Sequence, residues 1–531
     1  MTSFIARRSR VFIPTRASAP RDDEARIASH KLLLQGGFIR RTAAGVYSLL
    51  PLAQRSMAKL TSVVERELAA AGCERIVMPS LLPAQMWQHS GRWTSVGPEL
   101  MRLKDRRGAD FCMAPTHEEA FSLLVRDALR DGERRVPLRL FQITNKYRDE
   151  VRPRFGLMRA REFLMKDLYT CDSSAPAALE TYDAIVAAYR RIFDAIGLSG
   201  HYSFALADTG KIGGDYSHEL HVLAPVGEDE LLQCTGCDYI ANVERAEGLV
   251  AVPADAPASS LVLSVADVDT NKRFALISPR PVQPTMLWRA ARHAGAAQSA
   301  QLDDGATAAL SESVDLAAFD AILVDPSLAN VDVVRRLVAA SKRPVFDTLS
   351  FAVAKDGDGH SCGGKLQSRR GIECGQAFIL GDKYSTPFEV TLGDTPLQMG
   401  CYGLGMSRIL SASIEVHHDQ HGMRWPAALA PYVSTVVVAA PQDEAVVAAA
   451  EQLASVLGDD VLLDDRVDVN LQTKMREALL LGSPRVVVVG KGAVQSNAER
   501  TVDVIDRFRD GDRAHKIALA AFFPTPAPTR N

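Results

Sequence analysis

The sequence predicts a multidomain protein of mixed α/β and α+β class, and three observations carry that expectation. At 531 residues the chain is long enough for about two to four domains, each with its own core. From Val433 onward the pattern alternates strand, helix, strand, helix, strand, with apolar strands, the signature of a sheet covered on both faces. Between Glu247 and about Lys355 the texture changes to Ala, Val and Asp with few aromatics, which marks a separate small α/β body inside the longer chain.

Apolar content of 47% and charged content of 24% are those of an ordinary globular protein. A formal charge of −3 gives no global attraction to nucleic acid, so any RNA contact has to come from local basic surfaces. Eight Cys without a regular framework suit a reducing compartment. No uninterrupted apolar run approaches the roughly 20 residues needed to cross a bilayer. The first residues, MTSFIARRSRVFIPTRASAP, carry Arg7, Arg8, Arg10 and Arg16 and no acid before Asp22. That composition is expected of an organellar transit segment over residues 1–20, the alternative being a disordered basic tail. It points to the mitochondrial matrix, with the cytoplasm as second choice.

Taken in order, Leu52, Met57, Leu60, Val64 and Leu68 space an amphipathic helix stopped by Gly72, followed by a short strand over Ile76–Met78 that ends at Pro79. In FCMAPTHEEAFSLLV a strand ends at Ala114, Pro115 turns the chain, and Thr116 with Glu119 three residues on reads as a capping box. Glu118 is costly to bury without a cationic partner. The stretch YRDEVRPRFGLMRAREFLMKDLY, Tyr147 to Tyr169, reads as strand, exposed basic loop, strand. Its fixed guanidinium forks suit a polyphosphate, and a solvated salt-bridged hairpin is the plainer reading. A long amphipathic helix over Ala175–Gly197 is scaffold. Gly400, Gly403 and Gly405 precede a helix that carries Arg408 in its first turn, an arrangement that lets backbone approach a nucleotide closely.

Cys234-Thr-Gly-Cys237 has the spacing of half a zinc ribbon. The other half is wanting, because the place for it reads Gly359-His360-Ser361-Cys362. A decayed or merely structural knuckle is the favoured reading, three Cys plus His360 binding zinc the alternative, and no metal ligand is assigned.

The wording RDE, then RPRFG, then REFLMKD resembles motif 2 of the class II aminoacyl-tRNA synthetases, in the form found in prolyl-tRNA synthetases of the bacterial and mitochondrial kind. GCYGLGMSR resembles motif 3, and the helix–strand–Pro79 segment motif 1. The resemblance implies an antiparallel-sheet catalytic core over 21–246 and 356–431, an insertion at 247–355 and a C-terminal α/β anticodon-binding domain over 432–531. It implies ATP and Mg²⁺ as cofactors, L-proline and tRNA(Pro) as partners, a homodimer, and no membrane. For ATP it implies Arg148, Glu150, Arg159, Phe163, Gly403, Gly405 and Arg408, with Arg148 and Arg408 catalytic. For proline it implies Thr116, Glu118, Arg148, His218 and Cys401. Leu220 stands where the family has Phe, and Cys374 and Gln376 where it has Val and His. Relatives carry an editing domain at the insertion; no editing lysine can be matched here, Lys272 and Lys342 being candidates only by presence. A degenerate domain that packs or positions RNA is preferred. The rival functions are a sister threonyl or glycyl enzyme and a non-catalytic paralogue that binds tRNA or a protein partner.

Overall fold

The computed structural model describes residues 5–16, 18, 20–21, 25–133, 135–208, 216–250, 261–267, 272–280, 282, 301–302, 308–309, 314–328, 331–347, 352–496, 499–509 and 513–523. The stretch DTGKIGGDYS, which reads as a Gly-rich turn, lies largely outside the described residues, as do parts of the 247–355 segment. The chain divides into two compact units, one of Met1–Tyr202 with Ala377–Asn531, the other of Ser203–Gln376.

In the first unit the strands Leu138–Tyr147 and Glu162–Asp172 form the expected long antiparallel hairpin, with Leu138 opposite Cys171 and Tyr147 opposite Glu162. The strand Gln398–Gly405 runs antiparallel on the hairpin's second arm, pairing Cys401 with Tyr169, Gly403 with Asp167 and Gly405 with Met165. Glu74–Arg75 adds a short parallel strand on the first arm. The helix Pro51–Ala70 ends where expected, before Gly72 at φ +74°. The strand after it is Glu74–Arg75 rather than Ile76–Met78, although the Ile76 amide still donates to the Phe141 carbonyl at 2.8 Å. The helices Pro51–Ala70 and Ala175–Ala195 each bury one face, Leu60 and Val64 on the first, Ile185 and Tyr189 on the second. That apolar stripe supplies most of their stability.

The C-terminal part of this unit follows the alternation in the sequence closely. Ser434–Val438, Val461–Asp464 and Arg485–Val489 are parallel neighbours, and Thr501–Asp506 and His515–Ala518 extend the sheet antiparallel. The helices Glu444–Leu457 and Leu471–Leu481 connect the parallel strands and are capped by Asp443 and Asn470.

The N-terminus departs from the sequence expectation. Ala6–Arg7 is a parallel edge strand of this same sheet, pairing with Leu462–Leu463. Arg7 bonds Glu451 at 2.6 Å and Arg8, itself buried, reaches Glu477 at 3.1 Å. The acid-poor composition that suggests a detachable leader has a second physical use here. A basic strand is what the acidic rim formed by Glu451, Asp465 and Glu477 accepts.

The second unit is wider than the 247–355 insertion. Its strand Asp229–Cys234 pairs along the first part of Leu366–Gly381, from Asp229 opposite Gly371 to Cys234 opposite Leu366, so the flanks of the insertion belong to the same body. Leu261–Asp267 and Lys272–Ser278 form an antiparallel pair there, extended by parallel Ala321–Val324 and Val345–Phe346, with the helix Asp332–Ser341 packed alongside. Among the described residues no helix is long and apolar enough to cross a membrane.

Candidate active site

The hairpin and the strand beside it bring Phe163, Cys401, Gly403 and Gly405 onto one sheet, because pairing sets their relative heights. At the loop end of the hairpin the ladder continues past the strands: the Arg148 amide donates to the Arg161 carbonyl at 2.9 Å, and the Arg161 amide to the Gly45 carbonyl at 2.8 Å. The Arg148 guanidinium lies over the Phe163 ring, 5.4 Å from its centroid. That cation–π contact fixes a positive charge and a flat aromatic surface side by side. Glu150 accepts from Arg159 Nε at 2.7 Å and from the Arg152 amide at 3.0 Å. Burial pushes its carboxyl up, but these donors more than offset that and leave it below the ordinary range. Glu150 and Arg159 thus hold each other.

Gly403 and Gly400 differ in role. A Cβ on Gly403 would meet nothing within 4 Å, so open space lies in front of this backbone. A Cβ on Gly400 would lie 2.5 Å from the Tyr402 hydroxyl and 2.7 Å from Thr170 Oγ1, so Gly400 serves packing. Gly405 directly precedes the helix Met406–His417, in which Arg408 Nε donates to the Met158 carbonyl at 2.9 Å.

The second cluster lies at the start of the helix Glu118–Arg130. The capping box expected of Thr116 and Glu119 does not form. The residue preceding the helix is His117, without a side-chain cap. Thr116 Oγ1 donates instead to Glu118, 2.8 Å from each carboxylate oxygen, and lies 3.0 Å from the Tyr169 hydroxyl. Glu119 turns to Arg92 Nη1 at 3.1 Å and Ser90 Oγ at 2.8 Å. A charged donor outcompetes a backbone amide for a buried carboxylate, which is the physical reason the local motif loses.

Glu118 is fully buried, and its cationic partner is Arg92, whose Nη1 is 2.9 Å away. The cation beside the buried Glu118 is thus this chain's own Arg92. Burial pushes the Glu118 carboxyl up, while the Arg92 charge and the Thr116 hydroxyl pull it down further, leaving it ionised below the usual range. Burial raises Glu119 against the pull of Arg92, and the charge of Glu118 adds to the rise. Arg92 in turn lies over the Trp87 ring at 4.8 Å. Cys401 Sγ sits 3.3 Å from Glu118 Oε1, and burial followed by that carboxylate pushes its thiol well up.

Below this cluster runs a buried polar chain. Tyr169 donates its hydroxyl to Asp167 at 2.9 Å and accepts from the His117 amide at 2.7 Å. Asp167 also takes Gln142 Nε2 at 3.0 Å and pairs with Lys146 Nζ at 2.8 Å. Burial would raise the Asp167 carboxyl, yet His117 and Lys146 hold it at about 2. A buried network tied by charge pairs and hydrogen bonds in this way is rigid. Sequence reasoning missed Arg92, Lys146, Asp167 and Tyr169 as a set. The signal for Lys146 and Asp167 was present, as charged residues inside predicted strands; Arg92 and Tyr169 carried none.

His218 lies in the other unit, half-buried on the strand Tyr216–Leu223, edge-on to the Tyr216 ring at 5.0 Å. On the same strand Leu220 is buried core, a position any large apolar residue fills. Gln376 donates to Glu219 at 3.1 Å, and Glu219 also takes His221 Nε2 at 2.9 Å.

Known proteins share this architecture. Residues 101–417 match the family described as tRNA synthetase class II core domain (G, H, P, S and T), and residues 434–524 match the anticodon binding domain. A proline–tRNA ligase of Desulforamulus reducens is 38% identical over 92% of this chain and 94% of its own length. Another from Syntrophotalea carbinolica is 37% identical over 96% of both. The solved Giardia lamblia prolyl-tRNA synthetase in complex with prolyl-adenylate has the same fold at a TM-score of 0.58 and 14% identity, over 91% of this chain and 73% of that one.

Proposed function

Since the chain belongs to the class II tRNA synthetases, and within them to the proline–tRNA ligases, we propose a division of labour in which its two residue clusters serve the two halves of proline activation. The enzyme is an ATP-dependent aminoacyl-tRNA ligase, activating proline to prolyl-adenylate and transferring it to the 3′ end of tRNA(Pro). The observation that carries the assignment is the pairing of Cys401 with Tyr169 and Gly403 with Asp167. It sets Cys401, which contacts Glu118, and Phe163, over which the Arg148 guanidinium lies, on adjoining strands of one sheet.

In this reading the adenine ring stacks on Phe163 and its amino group donates to Glu150, which Arg159 orients. The backbone at Gly403 leaves room for the nucleotide. Arg148 bridges the α-phosphate and the proline carboxylate, and Arg408 takes the γ-phosphate. Thr116 is half-buried, and rotating its hydroxyl away from Glu118 makes its oxygen an acceptor for proline's secondary ammonium, with the ionised Glu118 behind it. Cys401 lines the ring side of the pocket. A proline carboxylate oxygen attacks the α-phosphorus, the bond to the bridging oxygen of the β-phosphate breaks, and pyrophosphate leaves. The tRNA terminal ribose hydroxyl then attacks the acyl carbon, and AMP leaves. No residue forms a covalent intermediate, so acceleration rests on orientation and on fixed positive charge.

Mg²⁺ belongs to the same reading. It takes oxygen ligands, mostly from phosphates and water, so the protein has little to supply. Glu162, half-buried beside Phe163 and holding Asn145 Nδ2 at 2.9 Å, has the donor chemistry for it. When bound it neutralises phosphate charge.

A homodimer is also proposed. Its support is Val77, 74% exposed, and Leu81, 47% exposed, beside the helix–strand segment that resembles motif 1. The mitochondrial matrix is proposed from the basic, acid-poor N-terminus, with the cytoplasm second. Import that leaves residues 5–16 in place is the form compatible with the edge strand.

ATP–pyrophosphate exchange by the full chain, offered each of the twenty amino acids in turn, tests the assignment. Exchange with proline is expected. Exchange with threonine or glycine instead would move the chain to a sister enzyme, and no exchange from folded protein would favour the non-catalytic paralogue.

A further inference from the structure

In the second unit two tight turns face each other. The first holds Cys234 and Cys237 and is closed by the Cys234 amide, which donates to the Tyr239 carbonyl at 2.8 Å. The second runs from Gly359 to Lys365 and is closed by the His360 amide on the Gly364 carbonyl and the Gly363 amide on the His360 carbonyl, both at 2.9 Å. The turns lock together through the Thr235 amide on the Lys365 carbonyl at 2.9 Å and the Lys365 amide on Thr235 Oγ1 at 3.1 Å. Their approach is so close that a Cβ on Gly364 would lie 2.6 Å from Cys234 Sγ and 2.7 Å from the Gly236 nitrogen.

The His-Ser-Cys sequence, out of register for a second CxxC, is brought into place by this turn. The ligand atoms of Cys234, Cys237, His360 and Cys362 all lie within 4.8 Å of one another. Cys234 Sγ is 3.4 Å from Cys362 Sγ, and His360 Nδ1 is 3.3 Å from Cys362 Sγ and 3.5 Å from Cys237 Sγ. Tetrahedral zinc, with Zn–S of about 2.3 Å and Zn–N of about 2.0–2.1 Å, requires separations of about 3.8 Å between sulfurs and about 3.6 Å between sulfur and nitrogen. The observed set needs adjustments of about 1 Å or less to meet that geometry. Two further features support the ligands. The Gly236 amide donates to Cys234 Sγ at 3.3 Å, which stabilises thiolate charge, and the Tyr239 ring stacks on His360, centroids 4.4 Å apart, which fixes the imidazole plane. Cys234 also packs in the apolar core of this region with Leu232, Ala246 and Leu366, but Cys237 and Cys362 are exposed, and core packing does not account for thiols there.

We propose that Cys234, Cys237, His360 and Cys362 form a structural Zn²⁺ site. Four protein ligands close the coordination shell, so the ion is not a Lewis acid for the ligase reaction. It clamps the end of the ladder between Asp229–Cys234 and Leu366–Gly381, beside the bridge of Leu249 to Gly359, where the chain leaves for the insertion and returns from it. The site secures the root of the inserted segment.

The test is metal analysis of the full chain purified in reducing buffer without chelator, alongside C237S/C362S. About one zinc per wild-type chain is expected, falling at least tenfold in the double variant. Exchange with Co²⁺ should give the intense visible bands of a tetrahedral thiolate-bound ion, and chelation should expose new proteolytic cuts between residues 247 and 360. Wild-type protein with less than about a tenth of an equivalent of zinc and no such Co²⁺ bands overturns the proposal. So does a Cys234–Cys362 disulfide found by mass spectrometry in place of metal. The wild-type measurements stand whether or not the double variant folds.

Discussion

Arg92→Met removes the guanidinium that pairs with two buried carboxylates, and the structure sets the size of the consequence. Arg92 is 6% exposed, and Glu118 and Glu119 are fully buried. Without the guanidinium, Glu118 keeps the Thr116 hydroxyl, its own backbone amide and the Cys401 thiol as donors, none of them charged. Breaking a buried pair from one side costs about 3–5 kcal/mol. An independent bound comes from protonation, the route by which Glu118 escapes. At pH 7.5 that costs about 1.36 kcal/mol for each of roughly three pH units above an ordinary carboxyl near 4.3, about 4 kcal/mol. At pH 5.0 the same escape costs about 1 kcal/mol. In the wild type the Glu118 carboxyl is depressed, so its contribution is intact above about 4.3 and fades only as pH falls further. In R92M it is raised, so the penalty grows as pH rises from about 4.3. Urea unfolding of both proteins, followed by the fluorescence of buried Trp87 and Trp425, should therefore show a deficit of about 4 kcal/mol at pH 7.5 shrinking to about 1 kcal/mol at pH 5.0. The KM for proline in pyrophosphate exchange should rise while that for ATP holds. A deficit equal at both pH values, or below about 1 kcal/mol at pH 7.5, would refute the reasoning.

Three further outcomes follow from the same geometry. R148A should lose about 10²- to 10³-fold in kcat, the cost of one charge-assisted donor at a transition state; rapid-quench measurement of adenylate formation checks it, and a change confined to KM contradicts the placement. G403A should unfold like wild type but bind ATP more weakly, because its methyl enters open space, whereas G400A should be destabilised by its clash with Tyr402 and Thr170; thermal melts with ATP titration separate the two. Deleting residues 1–11 removes the Ala6–Arg7 strand and the Arg8–Glu477 pair, so tRNA charging should fall while proline-dependent pyrophosphate exchange persists. Intact charging by the deletion would show that the edge strand is dispensable.

The sequence by itself determined what depends on period and on contiguous wording. The alternation after Val433 located three strands and two helices to within about two residues, because apolar periodicity is a local property that burial enforces. The Tyr147–Tyr169 wording located the hairpin and its charges for the same reason. Only the tertiary structure decided which polar groups meet. Thr116 and Glu119 have the local pattern of a capping box, yet Arg92, distant in sequence, takes the carboxylate because a buried charge must find a cation. Arg7 and Arg8 have the composition of a leader, yet they pair with Glu451 and Glu477 across more than 400 residues of chain. His360 and Cys362 are out of register as text and converge with Cys234 and Cys237 only because the turn closed by Gly364 folds them back. Local pattern fixes backbone conformation, but the partner of a buried charge or thiol is chosen by proximity in space, which a linear reading does not contain.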